Sequence, residues 1–288
     1  MKSLKLGLKV LKMVNNLIVP LKKAQADQRA LGSFNIYNYE TIKGVFNAIE
    51  NANTDGIIAF GAKYLSNMTL TEVSNLVRTV SSRYPKDIVI HLDHCSDFKI
   101  IKEAIDAGFT SVMFDGSHLP YEENVAATKE VCDYAHQRGV SVEAELGCIA
   151  LGGNSNEDHQ EEKYTDPLQA KDFVERTGVD CLAVSIGTVH GTYKGTPNIS
   201  IDRLKEINDL VDIPLVLHGG SGTPEEIIKT CIKNGICKIN INTEMSKDAV
   251  ELMYSTIQEN DQVHLSQLSV LARKQITKVA TKYIELFI

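Results

Sequence analysis

Residues 214–244 read PLVLHGGSGTPEEIIKTCIKNGICKININTE, and the fold follows from this stretch. It opens on a short apolar run, 214–217, that reads as a strand buried on both faces. His218 and a glycine turn follow. Thr223-Pro224-Glu225-Glu226 then reads as a helix start, with a cap residue, a proline in the first turn and a glutamate three residues after the cap. A second apolar run, 237–241, completes a strand–helix–strand unit. Outward from it the same alternation recurs, with strand candidates at 31–36, 56–60, 88–92, 111–114, 141–146 and 181–186. Helical patterns lie between them; Ile100, Ile101, Ala104 and Ile105 form one apolar face closed by Gly108. Alternation with short connections predicts a closed parallel (β/α)₈ TIM barrel rather than an open sheet. The 288 residues suit one such α/β domain, which typically needs about 250.

Two segments depart from the pattern. Residues 148–164 are polar and rich in Gly, Asn and Glu, which predicts a mobile active-site loop. Beyond the eighth unit, Leu265, Leu268, Ala272, Ile276, Val279, Tyr283 and Phe287 recur at spacings of three and four. They predict an extra C-terminal amphipathic helix, packed on its own barrel or on a partner subunit.

A formal charge of −7 excludes electrostatic attraction to nucleic acid or to an anionic membrane. The six cysteines show no paired spacing and read as reduced thiols of a cytoplasmic protein. Lys5, Lys9 and Lys12 interrupt the apolar N-terminus, so no signal peptide is expected, and no stretch is apolar enough to span a bilayer.

Function in a TIM barrel sits where strands end. Strand three runs into His91-Leu92-Asp93-His94, strand four into Asp115-Gly116-Ser117-His118, and strand five carries Glu143 and Glu145. Strand six leads to Gly187-Thr188-Val189-His190-Gly191, strand seven to His218-Gly219-Gly220-Ser221-Gly222, and strand eight to Asn240-Ile241-Asn242-Thr243. Five of the eight histidines therefore fall at strand ends. His94, His190 and His218 come from three strands, and three imidazoles with an open position make a catalytic zinc site; the other reading is that some of them bond the loops. His91 shares a strand face with Asp93 and is expected inside. The Gly219–Ser221 turn and the Asn240–Thr243 segment each precede a helix, which is how barrels bind phosphate.

The segments HLDH, SVMFDGSH, GVSVEAELG, YTDP, IGTVHGTYKGTPN, PLVLHGGSG and KININTE resemble, in order and spacing, the class II ketose-bisphosphate aldolases acting on fructose or tagatose bisphosphate. The resemblance runs from about residue 31 to 244 and leaves residues 1–12 as an N-terminal extension. It implies a lyase with His94, His190 and His218 as zinc ligands and Asp93 as the catalytic acid/base. Gly191, Lys194, Gly219, Gly220, Ser221, Asn240, Ile241, Asn242 and Thr243 would hold dihydroxyacetone phosphate. Backbone carbonyls near that phosphate would hold a monovalent cation, sodium or potassium. Glu157 aligns with a catalytic loop glutamate, and a homodimer or homotetramer is implied, with Arg273 as the C-terminal arginine reaching a neighbouring site. Glu145 and Asp115 read either as metal or imidazole-orienting groups or as loop-bonding carboxylates. Fructose 1,6-bisphosphate is the substrate expected, with tagatose bisphosphate or 6-phospho-5-dehydro-2-deoxygluconate as alternatives. A Schiff-base aldolase would need a lysine at the C-terminal end of a strand, and Lys238 lies at the other end. A sugar-phosphate-binding barrel without catalysis would have no need of Asp93.

Overall fold

The computed structural model describes residues 16–155, 163–193, 195 and 197–288. Eight parallel strands close into a barrel: β1 (Leu31–Asn35), β2 (Gly56–Gly61), β3 (Ile88–Cys95), β4 (Ser111–Phe114), β5 (Ser141–Leu146), β7 (Cys181–Val184), β9 (Leu215–Leu217) and β10 (Ile236–Ile241). Two further short strands, β6 (Ala150–Leu151) and β8 (Val189–His190), pair in parallel outside the barrel. The expected strands are present. The sixth stops at Val184 rather than residue 186, and the third runs on to Cys95.

The helices form because local signals agree with the barrel. Helix α2 (Tyr39–Ala52) begins at a box between Asn38 and Thr41, and α3 (Leu70–Ser81) at one between Thr69 and Glu72. Helix α4 (Phe98–Ala107) buries Ile101, Ala104 and Ile105 and ends on the left-handed Gly108. The expected cap at Thr223 is not formed. Helix α8 (Glu225–Lys233) starts after Pro224, and the Thr223 hydroxyl instead donates to the Gly219 carbonyl at 3.0 Å.

Helix α1 (Ile18–Ala26) plugs the bottom of the barrel. Leu17, Leu21 and Ala24 pack there against Leu31, Ile57, Val89, Val216 and Cys237. The opposite end of the interior is polar: His91, Asp93, Glu143, Glu145 and Lys238 are all buried. Helix α9 (Thr243–Glu259) and helix α10 (Leu265–Phe287) form a hairpin over α2. Ile276, Val279, Tyr283 and Phe287 bury against the chain's own barrel, whereas Leu265 is 73% exposed. Among the described residues no helix is long and apolar enough to cross a membrane.

Candidate active site

Strict alternation along β3 would send Asp93 inward and His94 outward. Both reach the mouth because the β3–β4 register slips between Leu92 and Cys95, and His94 adopts a left-handed backbone at φ 42°. Such a conformation costs on the order of 1–3 kcal/mol for a residue other than glycine and persists only where surrounding contacts hold it. Here the His94 ring stands edge-on to His190 at 5.1 Å and to His218 at 4.6 Å between centroids.

His218 follows β9. His190 is not at a barrel strand end: it lies on β8, braced by the first part of the 148–164 loop. Gly152 N–H donates to the His190 carbonyl at 2.8 Å, and Gly153 N–H to that of Thr192 at 2.8 Å. Ligand-type atoms of the three imidazoles lie within 4.8 Å of one another, and so do those of a second group, His94, Asp115 and Glu145.

The ring nitrogens reveal what the centre can hold. His94 Nδ1 is 2.8 Å from Asp115 Oδ2, and His218 Nε2 is 2.9 Å from Glu143 Oε1. With each ring giving its N–H to a carboxylate, His94 Nε2 and His218 Nδ1 face each other as lone pairs 2.8 Å apart. Two lone pairs at that distance repel unless a cation lies beside them. His190 Nε2 is buried and has no hydrogen-bond partner among the described residues. Burial holds His190 well below the ordinary histidine range, and neighbouring His94 and His218 add to this; burial also lowers His218, opposed by Glu143. Neutral imidazoles turned inward by outer carboxylates can bind a divalent metal.

Asp93 is held as a carboxylate. Its Oδ2 takes the Asn35 amide at 2.7 Å and its Oδ1 the Asn240 amide at 3.0 Å. Burial would raise its carboxyl; the imidazoles of His94 and His218 and the Lys238 ammonium outweigh it and hold the group below the usual range. Burial likewise raises Asp115, but its bonds to His94 and Ser117 keep it low.

A cleft of about 370 Å³ joins Asp93, His94 and His190 to Gly219, Ser221, Asn240, Asn242 and Thr243. Gly219 has φ 69°, and a Cβ there would sit 2.2 Å from the Val189 carbonyl oxygen. Gly191 has φ 106° and the same tight approach to Gly153. Ile241 is buried, and Gly220 donates its N–H to the Asn240 carbonyl at 3.1 Å. Ser221 Oγ accepts from the amides of Asn242 and Glu244 at 3.3 and 3.4 Å, so it occupies the N-terminus of α9 where an anion would sit.

Not every expected residue is brought together. Glu157 and Lys194 lie outside the described residues. Arg273 lies 3.9 Å from Glu40 of α2 in the same chain and does not line the cleft. Sequence reasoning missed Asn35, Ser155 and Tyr64. Asn35 could have been found as the polar side chain that ends β1. Tyr64, whose hydroxyl accepts from the Asn242 amide at 3.0 Å, carries no such signal.

The three imidazoles beside a buried carboxylate form a group that could hold a metal ion, and comparison with known proteins places the chain in a family. A family model described as "Fructose-bisphosphate aldolase class-II" matches residues 15–288. A fructose-bisphosphate aldolase of Geobacillus stearothermophilus is 45% identical over 230 residues, covering 78% of this chain and 79% of that protein. One of Staphylococcus aureus is 40% identical over 258 residues, covering 86% and 88%. The solved structure of the YdjI aldolase from Escherichia coli K12 superposes with a TM-score of 0.84 at 35% identity, covering 96% of this chain and 97% of that one. With family model, relatives and barrel in accord, this chain belongs to the class II fructose-bisphosphate aldolases, a family of lyases that depends on a divalent metal.

Proposed function

We propose that the protein catalyses the reversible, zinc-dependent cleavage of fructose 1,6-bisphosphate into dihydroxyacetone phosphate and glyceraldehyde 3-phosphate. The observation that carries this reading is the pairing of a lone-pair triad, His94, His190 and His218, with a carboxylate held at both oxygens, Asp93. His94, His190 and His218 would hold the zinc ion, with Asp115 and Glu143 orienting two of the rings and Glu145 beside them, 3.9 Å from His218 Nδ1. A bound zinc ion supplies Lewis acidity at the C2 carbonyl, the electron sink for the breaking C3–C4 bond.

The chain's own residues do the rest. Asp93 takes the proton of the C4 hydroxyl as that bond breaks and returns it in the synthetic direction. Asn35 and Asn240 keep its carboxylate aimed into the cleft. The 1-phosphate would sit against Gly191, Gly219, Gly220, Ser221 and the Asn240–Thr243 segment at the N-terminus of α9, where Lys194 would add charge. A sodium or potassium ion held by backbone carbonyls near that phosphate belongs to the same reading. Glu157, on the loop that braces His190, is proposed to exchange the proton at C3 of dihydroxyacetone phosphate. Free thiols at all six cysteines suit work in the cytoplasm.

The test is chelation. Activity should vanish on metal removal and return with zinc, and borohydride with substrate should trap no adduct. Fructose bisphosphate should be turned over faster than tagatose bisphosphate or 6-phospho-5-dehydro-2-deoxygluconate. A metal-free sample, checked by elemental analysis, that kept its activity would overturn the proposal.

A further inference from the structure

Lys238 is a buried ionisable group that the chemistry above does not use. It is 0% exposed, and its ammonium lies 2.9 Å from Glu143 Oε2, 3.1 Å from Glu143 Oε1 and 2.7 Å from Asn240 Oδ1. An ammonium has three donors and accepts nothing, so these contacts fix the groups around it. It does not line the cleft, and a nucleophilic role would require it to.

Two arms run from this ammonium to the reacting end of the barrel. Along the first, Lys238 holds the Glu143 carboxylate, whose Oε1 stands 2.9 Å from His218 Nε2. A carboxylate there keeps the His218 proton on Nε2 and leaves Nδ1 as the lone pair turned toward His94. Along the second, the ammonium occupies Asn240 Oδ1, which prevents the amide from flipping. The Asn240 Nδ2 then donates to Asp93 Oδ1 at 3.0 Å and stands farther, 3.4 Å, from His218 Nε2. A flipped amide would set oxygen against oxygen at the base.

We infer that Lys238 is a positioning residue of the aldolase centre, its single ammonium setting both the tautomer of His218 and the amide orientation of Asn240 on Asp93. The inference rests on the proposed roles of His218 and Asp93. Neutralising Glu143 is a simpler role, and the two separate experimentally.

Lys238→Met, the double variant Lys238→Met with Glu143→Gln, and the wild type would be compared as full-length proteins. Cobalt and zinc affinity would be measured by chelator competition, with the cobalt absorption spectrum, Tm, kcat and KM. Lys238→Met should weaken metal binding about 10–100-fold, as removal of an outer partner does, and alter the cobalt spectrum. The double variant leaves no unpaired buried charge, and its glutamine oxygen can still accept from His218. It should therefore recover Tm and metal affinity, yet keep kcat at least tenfold low with KM little changed, because nothing orders the Asn240 amide. Recovery of kcat together with Tm would reduce Lys238 to charge neutralisation and overturn the inference, as would a single variant with wild-type metal binding and turnover. Failure of the underlying reading shows elsewhere, as a wild type without metal-dependent cleavage.

Discussion

Asp93 receives amide protons from Asn35 and Asn240 on its two oxygens while three imidazoles stand beside it. That arrangement keeps it ionised and pointed, which is what a base for a hydroxyl proton needs. Asp93→Ala should therefore retain zinc but lose turnover by about 10²–10⁴-fold, measured by steady-state cleavage beside metal analysis. Turnover within a fewfold of wild type would move the proton transfer to another group, with Glu157 the next to change. His91 makes a second prediction. Burial, and then the nearby Lys238 ammonium, lower it from 6.5 to about 4. Between those values the unfolded chain binds more protons, so this contribution is present above pH 6.5 and lost as pH falls toward 4. The limit is roughly 3 kcal/mol for a shift of that size. Urea unfolding of the metal-free protein at pH 7 and 4.5 should show the loss, and His91→Gln should flatten it. An unchanged slope would mean that His91 does not carry this pH dependence.

Among the elements, the turn after β9 has a geometry that leaves little room. Gly219 combines a left-handed φ with a carbonyl 2.2 Å from any added Cβ. Gly219→Ala should push this turn away from Val189 and raise KM for the phosphorylated substrate tenfold or more, at a cost of about 1 kcal/mol or more in stability. Isothermal binding of dihydroxyacetone phosphate would check it, and unchanged affinity would remove the turn from the phosphate site. The β6–β8 pair is the element the sequence concealed. Two residues long on each side, it has no periodicity to read, yet it couples the glycine-rich loop to His190 through the Gly152 and Gly153 amides. The polar composition of residues 148–164 set this loop apart in the sequence; its backbone contacts with His190 were not readable there.

At the scale of the whole molecule, α9 and α10 carry a face that the barrel does not cover. Val250, Tyr254 and Leu265 are 57%, 64% and 73% exposed, while the later half of α10 is buried in its own core. An apolar face of this kind suits a second copy of the chain, and we expect a homodimer or homotetramer by light scattering at micromolar concentration. Tyr254→Glu should shift the mass toward monomer without loss of secondary structure. A wild-type monomer with full activity would refute the assembly and, with it, any role for Arg273 in a neighbouring site.

The amino-acid sequence by itself determined the barrel. Parallel strands buried on both faces need continuous apolar runs, and the connections between these runs are short enough to force neighbours to pair. It also marked most of the residues at the strand ends, because strand order alone brings those ends to one face; His190 lies instead on β8. Tertiary structure alone decided how they are used. The slip in β3 and the left-handed backbone at His94 turn two adjacent side chains to the same side, which no period of two predicts. Thr223 reads locally as a helix cap, but Gly219 and Tyr193 compete for its hydroxyl and the helix starts beyond it. Glu143 and Lys238 stand 95 residues apart in the chain and meet only because the barrel closes. Local propensity is written in neighbours along the chain; the pairing of buried charges is set by neighbours in space.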